Sequence, residues 1–377
     1  MRIDKRGTVG RVWLIAAALA MVVSCGGDGG GNNDGDPDAD VPVGLPFGAV
    51  DKQWSFVPVA GTECMDFSAT GMGVNLVEGS GNLLIYMEGG GACFNAFTCN
   101  GVAHQNGYIA RDLDVTVAQV GDRGVFNRND ADNPFADWNV IFIPYCTGDI
   151  FAGSNPSGSG GKNQVGYRNM GAYTTMLVEA FAGRLNRVVL SGSSAGGFGA
   201  LYNFDRVQRA FGDVPVTLLD DSGPPMSSTY MTPCLQDQVR SVWGMDDTLP
   251  ADCTECTTAN GGLGNLPVYL ANKYPERNFG IISSTTDGVI RLFYGFGYPS
   301  CANPTIPMPE VPFSAGVAEL RDVTLAPFDN ANVYTIDSGL HVWLLETPLS
   351  VTVSGGVNLT EWIVRLLGDG NFDNVAP

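Results

Sequence analysis

Short apolar runs and longer stretches of helical spacing alternate along this chain. Residues 82–87 (NLLIYM), 138–144 (WNVIFIP), 187–190 (RVVL), 214–219 (VPVTLL), 278–283 (NFGIIS) and 332–336 (NVYTI) read as strands. They are nearly unbroken hydrophobic runs, the pattern of strands covered on both faces. Between them, residues 167–183 offer Met170, Tyr173, Met176, Leu177 and Phe181 to one helical face. A second helix is expected from residue 195 to about Phe211, and a closing one over 360–367. Strands separated by helical stretches predict an α/β class fold, with a mostly parallel central sheet flanked by helices. The chain contains no internal repeat and no second domain. Residues 226–274 form a long insert carrying Cys234, Cys253 and Cys256, expected to act as a lid or a substrate-side cap.

The N-terminal pattern differs. Arg2, Lys5, Arg6 and Arg11 precede an apolar run over 12–23, too short to span a bilayer but suited to a signal peptide. The run ends in Val22-Val23-Ser24-Cys25, which resembles a bacterial lipobox. This implies a signal peptide over 1–24, lipidation of the Cys25 thiol and attachment to a membrane without spanning it. Gly26, rather than Asp, follows the cysteine and favours the outer membrane or cell surface; a plain secretory signal, giving a secreted or periplasmic protein, is the alternative. Residues 25–46 are rich in Gly, Asn and Asp and read as a flexible tether. Asp34, Asp36, Asp38 and Asp40 alternate like a calcium loop, but Ala39 and Leu45 stand where that loop needs Gly and Glu. The folded domain is expected over 47–377.

Composition narrows the function classes. The chain is 44% hydrophobic and 16% charged, with a net charge of −19, which disfavours nucleic acid as a partner. With Cys25 set aside, eight of the nine cysteines remain, an even number that reads as disulfides in an exported protein. Cys253-Thr-Glu-Cys256 has metal-ligand or redox spacing, but a chain with two histidines offers no convincing zinc set, and no thioredoxin-like βαβ context surrounds the pair.

The chemistry centres on residues 187–199, RVVLSGSSAGGFG. Here Gly192-Ser193-Ser194-Ala195-Gly196 has the G-x-S-x-G pattern of a strand-to-helix nucleophile turn. A serine nucleophile at Ser194 needs a base, and the only histidines are His104 and His341. The chain order Ser, acid, His places the base after the last strand, which selects His341. The acid should leave a strand between them. Asp287 follows the strand at 278–283; Asp220 and Asp221, after 214–219, are the alternative, and Asp337 is too near His341 to be preferred. Oxyanion donors are expected from the Ala195 N–H and from the loop Glu88-Gly89-Gly90-Gly91, through Gly90 and Gly91. No metal or organic cofactor is required by this chemistry.

These segments, with Tyr86–Asn95, Asn133-Pro134-Phe135, Trp138-Asn139, Phe142–Cys146, Gly148-Asp149 and Asp221-Ser222-Gly223, resemble the pectin acetylesterase family, which includes the Notum carboxylesterases. The resemblance runs from about Cys64 to His341. It implies an α/β-hydrolase fold, a Ser194–Asp287–His341 triad, oxyanion donors at Gly90, Gly91 and Ala195, and disulfides Cys93–Cys99 and Cys64–Cys146. It leaves Cys234, Cys253, Cys256 and Cys301 unassigned. Two departures stand out: Gly91 replaces the Trp of Notum proteins, and Asp337-Ser338-Gly339 replaces a loop that usually carries Cys in pectin acetylesterases.

The expectation is an exported serine carboxylesterase removing O-acetyl groups from a polysaccharide. A Notum-like or lipase-like deacylase of longer acyl esters is one alternative; a non-catalytic glycan-binding surface lipoprotein is another. So acidic a chain should repel polygalacturonate unless Lys162, Arg168 and Arg291 form a basic patch, so a neutral acetylated glycan fits equally.

Overall fold

A computed structural model describes residues 44–258, 261–346, 349–368 and 372–377. The stretch read as a signal peptide, Cys25, the aspartates at 34–40 and most of the stretch read as a tether lie outside the described residues. Residues 42–377 form one compact unit.

Eight strands make the main sheet: β1 (Trp54–Glu63), β2 (Ala69–Asn75), β3 (Asn82–Met87), β4 (Asn139–Ile143), β5 (Arg187–Ser193), β6 (Val216–Asp221), β7 (Phe279–Ser284) and β8 (Ala331–Ile336). Among the described residues nine α-helices accompany them: α1 (Ala96–Cys99), α2 (Ala110–Val120), α3 (Gly166–Ala180), α4 (Ala195–Phe211), α5 (Pro233–Trp243), α6 (Leu266–Lys273), α7 (Gly288–Gly295), α8 (Glu310–Glu319) and α9 (Leu359–Leu367). The strand order is β1-β2-β4-β3-β5-β6-β7-β8. β2 runs antiparallel to both β1 and β4, and every pairing from β4 to β8 is parallel. This order, with an antiparallel second strand, is the α/β-hydrolase fold.

The central strands bury both faces. In β3, Leu83, Ile85 and Met87 enter one core and Leu84 and Tyr86 the other. In β5, Val188 and Leu190 join the first core and Val189 the second. α3 packs Met170, Tyr173 and Leu177 into the first core and α4 adds Leu201, Phe204 and Val207. On the opposite face α9 supplies Trp362, Ile363 and Leu366. The unbroken apolar runs therefore follow from cover on both sides. No helix among the described residues is long and apolar enough to cross a membrane.

Four disulfides staple the loops at the C-terminal end of the sheet and the insert: Cys64–Cys146, Cys93–Cys99, Cys234–Cys301 and Cys253–Cys256. The cysteine pair that spaced like a metal or redox motif is thus bonded to itself.

Candidate active site

Ser194 sits between β5 and α4 with φ 60° and ψ −120°. A non-glycine residue held there costs about 1–3 kcal/mol and persists only where its surroundings impose it. The surroundings are tight. A Cβ on Gly196 would fall on the Met87 carbonyl oxygen, and one on Gly192 would strike the backbone of Gly196 and Met87. Glycine at both positions lets the turn press against the end of β3. Ser194 is buried and stands at the N-terminus of a 17-residue helix, whose free N–H groups favour developing negative charge.

His341 lies in the loop after β8. Its Nδ1 is 2.7 Å from Asp287 Oδ2. Asp287 is fully buried and caps α7: Oδ1 accepts the N–H groups of Val289 at 2.8 Å and Ile290 at 2.9 Å. One carboxylate thus orients the imidazole while being locked in place by a helix start. Among the described residues no hydrogen bond joins His341 to the Ser194 hydroxyl. Such bonds are commonly long in resting enzymes and tighten when substrate binds.

The alternative acids have other partners. Asp221 accepts Ser193 Oγ–H at 2.6 Å and the N–H groups of Trp343 and Leu344 at 2.9 Å. Burial pushes its pKa up, and its donors oppose that rise. Asp220 accepts the Gly223 N–H at 2.9 Å, and its other oxygen has no partner. Burial, then the neighbouring Asp221 charge, holds the Asp220 carboxyl well above the usual range. Neither is hydrogen-bonded to His341. Asp337 instead accepts from Thr285 Oγ1 at 3.3 Å.

Beside Ser194 lies a narrow slot with a cavity volume of about 60 Å³. Gly91, Ser194 and Ala195 share its lining, with almost wholly apolar walls behind them. Gly91 has φ 88°, a conformation few other residues adopt. Gly90 is tied one residue back, its carbonyl accepting the Ala103 N–H at 2.9 Å. One side of the wall is α5, through Leu235, Val239 and Trp243, with Met231 and Leu263 from the flanking insert; Phe94, Phe198, Tyr202 and, from α7, Ile290, Phe293 and Tyr294 supply more of it. The α5 residues escaped the sequence reading, although their i, i+4, i+8 spacing is a helical apolar stripe. The insert is therefore a wall of the slot.

His104, the unselected histidine, is half-buried and pairs with Glu88 across 3.0 Å. Glu88 also accepts the Tyr145 N–H at 2.9 Å, so the pair braces the start of the glycine loop. Of the three candidates for a basic patch, Lys162, Arg168 and Arg291, both arginines are paired with carboxylates. Arg168 pairs with Glu63 at 3.0 Å and Arg291 with Glu310 at 3.0 Å, so their charge is neutralised locally. Among the described residues no cluster of His, Cys, Asp and Glu could hold a metal ion.

A buried serine on a strained strand-to-helix turn, a histidine after β8 and an aspartate between them in the chain are thus carried by an α/β-hydrolase fold. The pectinacetylesterase family model matches residues 50–290, more than half of the chain, and the chain belongs to that family. Human palmitoleoyl-protein carboxylesterase NOTUM is 32% identical over 173 residues, covering 42% of this chain and 34% of the relative. Notum2 of Xenopus laevis is 32% identical over 164 residues, 42% of this chain and 32% of the relative. Pectin acetylesterase 7 of Arabidopsis thaliana is 26% identical over 234 residues, 58% of this chain and 54% of the relative. The matches thus span about a third of the Notum relatives and about half of the plant one. The structure of the Wnt deacylase Notum from Drosophila superposes with a TM-score of 0.59 at 18% identity, over 83% of this chain and 92% of that one, and shares the fold.

Proposed function

We propose that this chain is a serine carboxylesterase. The observation that carries the reading is the His341–Asp287 pair, in the order and fold position that a serine at a β5–α4 turn requires. Ser194 Oγ attacks the ester carbonyl, and His341 takes its proton and returns it to the departing hydroxyl. Asp287 holds the imidazole with Nε2 free to act and stabilises its charged form. The N–H groups of Ala195, Gly91 and Gly90 receive the oxyanion. Water then hydrolyses the acyl-enzyme.

The family supports an O-acetyl ester on a polysaccharide as substrate. The slot favours a second reading, a longer acyl group, because an acetyl methyl needs none of the apolar wall built by α5. Rates on p-nitrophenyl acetate through octanoate, beside acetylated pectin and acetylated xylan, separate the two. Ser194→Ala should lower kcat on the order of 10⁶-fold; an unchanged rate would leave only a glycan-binding lipoprotein. Export and lipidation at Cys25 belong to the same proposal. Mass spectrometry of the mature N-terminus from membranes of an expressing bacterium tests them, and an unmodified Cys25 overturns the anchor.

A further inference from the structure

Three residues with left-handed backbone angles meet around one aspartate, Asp221. Ser194 (φ 60°), Ser222 (φ 64°) and Val342 (φ 68°) are all non-glycine, and Val342 is β-branched, for which such an angle is a genuine outlier. Each is tied to Asp221. The Asp221 carbonyl accepts the Ser194 N–H at 2.7 Å. Its Oδ1 accepts Ser222 Oγ–H at 3.0 Å, and Ser222 Oγ in turn accepts the Val342 N–H at 3.2 Å. Trp343 and Leu344 N–H complete the set at 2.9 Å. On the far side, Ser193 Oγ gives its one proton to Asp221, so the Tyr86 hydroxyl, 2.6 Å from Ser193 Oγ, must donate to it.

The loop that carries His341 has no regular structure over 337–342. Its first half is held by the Asp287 segment: the Gly288 N–H bonds the Gly339 carbonyl at 3.1 Å, and the Thr286 N–H bonds the Ser338 carbonyl at 3.0 Å. Its second half is held by Asp221 and Ser222. His341 is therefore slung between two buried carboxylates, one on its ring and one on the N–H groups that follow it.

We infer that Asp221 is a positioning residue of the reaction: it locks the nucleophile turn and the base loop together and so sets the separation of Ser194 from His341. This rests on the reading of those two residues as nucleophile and base. A carboxylate is required because every group that reaches its oxygens is a donor; an amide would turn an N–H₂ toward donors. A displacement of the base by an ångström is enough to lower a rate on the order of 10²-fold.

The test is Asp221→Asn in the full chain, assayed on a p-nitrophenyl ester. Its kcat should fall on the order of 10²-fold, with KM within about twofold. The chain has two histidines, so His104→Gln assigns the His341 imidazole signals by NMR. Those signals should shift or broaden in Asp221→Asn, which a role confined to stability would not produce. A folded Asp221→Asn protein with kcat and His341 signals unchanged overturns the inference. Should that variant not fold, Ser222→Ala decides: it removes only the Val342 acceptor and one donor, and should lower kcat about tenfold; full activity overturns the inference. Ser194→Ala runs alongside. If it abolishes hydrolysis while the Asp221 and Ser222 variants keep wild-type rates, only the positioning role fails; if it changes nothing, the esterase reading fails and takes that role with it.

Discussion

Asp287 holds His341 with one oxygen and the first turn of α7 with the other: Oδ2 is 2.7 Å from the imidazole Nδ1, and Oδ1 accepts two backbone N–H groups. Ring orientation and helix start are thus set by one buried side chain. Asp287→Asn separates the two duties, since asparagine caps helices about as well as aspartate but fails to favour the imidazole form the reaction needs. We expect kcat to drop on the order of 10⁴-fold, with a melting temperature close to that of the wild type. A large loss of Tm with little change in kcat would show that the cap is the principal role.

Gly196 presses on Met87 so closely that no side chain fits between them. Gly196→Ala must push the nucleophile turn away from β3, and about 3 kcal/mol of stability should be lost. Urea unfolding measures it; a shift below about 1 kcal/mol would mean that the turn yields easily.

The slot makes acyl length testable by obstruction. Met231 is buried in its wall, and Met231→Trp adds bulk there without touching the proposed triad. Rates on butyrate and longer p-nitrophenyl esters should fall at least about tenfold while acetate hydrolysis stays within about twofold. A uniform loss across the series would remove the slot from substrate binding.

The His104–Glu88 pair makes stability depend on pH. Burial by itself lowers the His104 pKa, but the Glu88 hydrogen bond and charge, aided by Asp112, outweigh it and raise the pKa above the ordinary value. A histidine with a raised folded-state pKa stabilises the fold fully below its unfolded pKa of about 6.5, and that contribution fades as pH rises through the folded value. Urea midpoints from about pH 5.5 to 9 should therefore converge between wild type and His104→Gln as pH rises. Parallel curves would rule the pair out as the source.

Two disulfides differ in the chain they enclose. Cys64–Cys146 spans a sequence separation of 82 and Cys253–Cys256 one of 3. Loop-closure entropy assigns about 4.5 kcal/mol to the first and about 2 kcal/mol to the second. Paired Cys→Ser variants at each site, compared by chemical unfolding, should keep that order.

Much of the fold was legible where burial is two-sided. β3 and β8 announce themselves because strands covered on both faces leave few polar positions. The strands at the antiparallel edge did not. β1 (WSFVPVAGTE) mixes exposed and buried positions around Pro58, and β2 (ATGMGVN) carries glycines demanded by packing. A Cβ at Gly73 would meet Leu113, and one at Gly71 the backbone of β1. Such contacts lie far apart in sequence, so no local propensity reports them. At the site, the order of serine, aspartate and histidine along the chain singled out Asp287 and His341, which the fold places 2.7 Å apart. The Asp221 bonds were not legible, because they depend on backbone groups more than 120 residues away.

The proposed catalytic groups leave the ends of β5, β7 and β8, whereas one side of the slot, through Met231, Leu235, Val239, Trp243 and Leu263, comes from the single stretch inserted after β6. Part of the slot is thus written apart from the proposed catalytic residues, and part, through Ile290, Phe293 and Tyr294, lies on the helix that Asp287 caps. An insert of another composition, grafted between Met226 and Tyr274, would re-line that one side of the slot and leave the Asp287–His341 pair where it is.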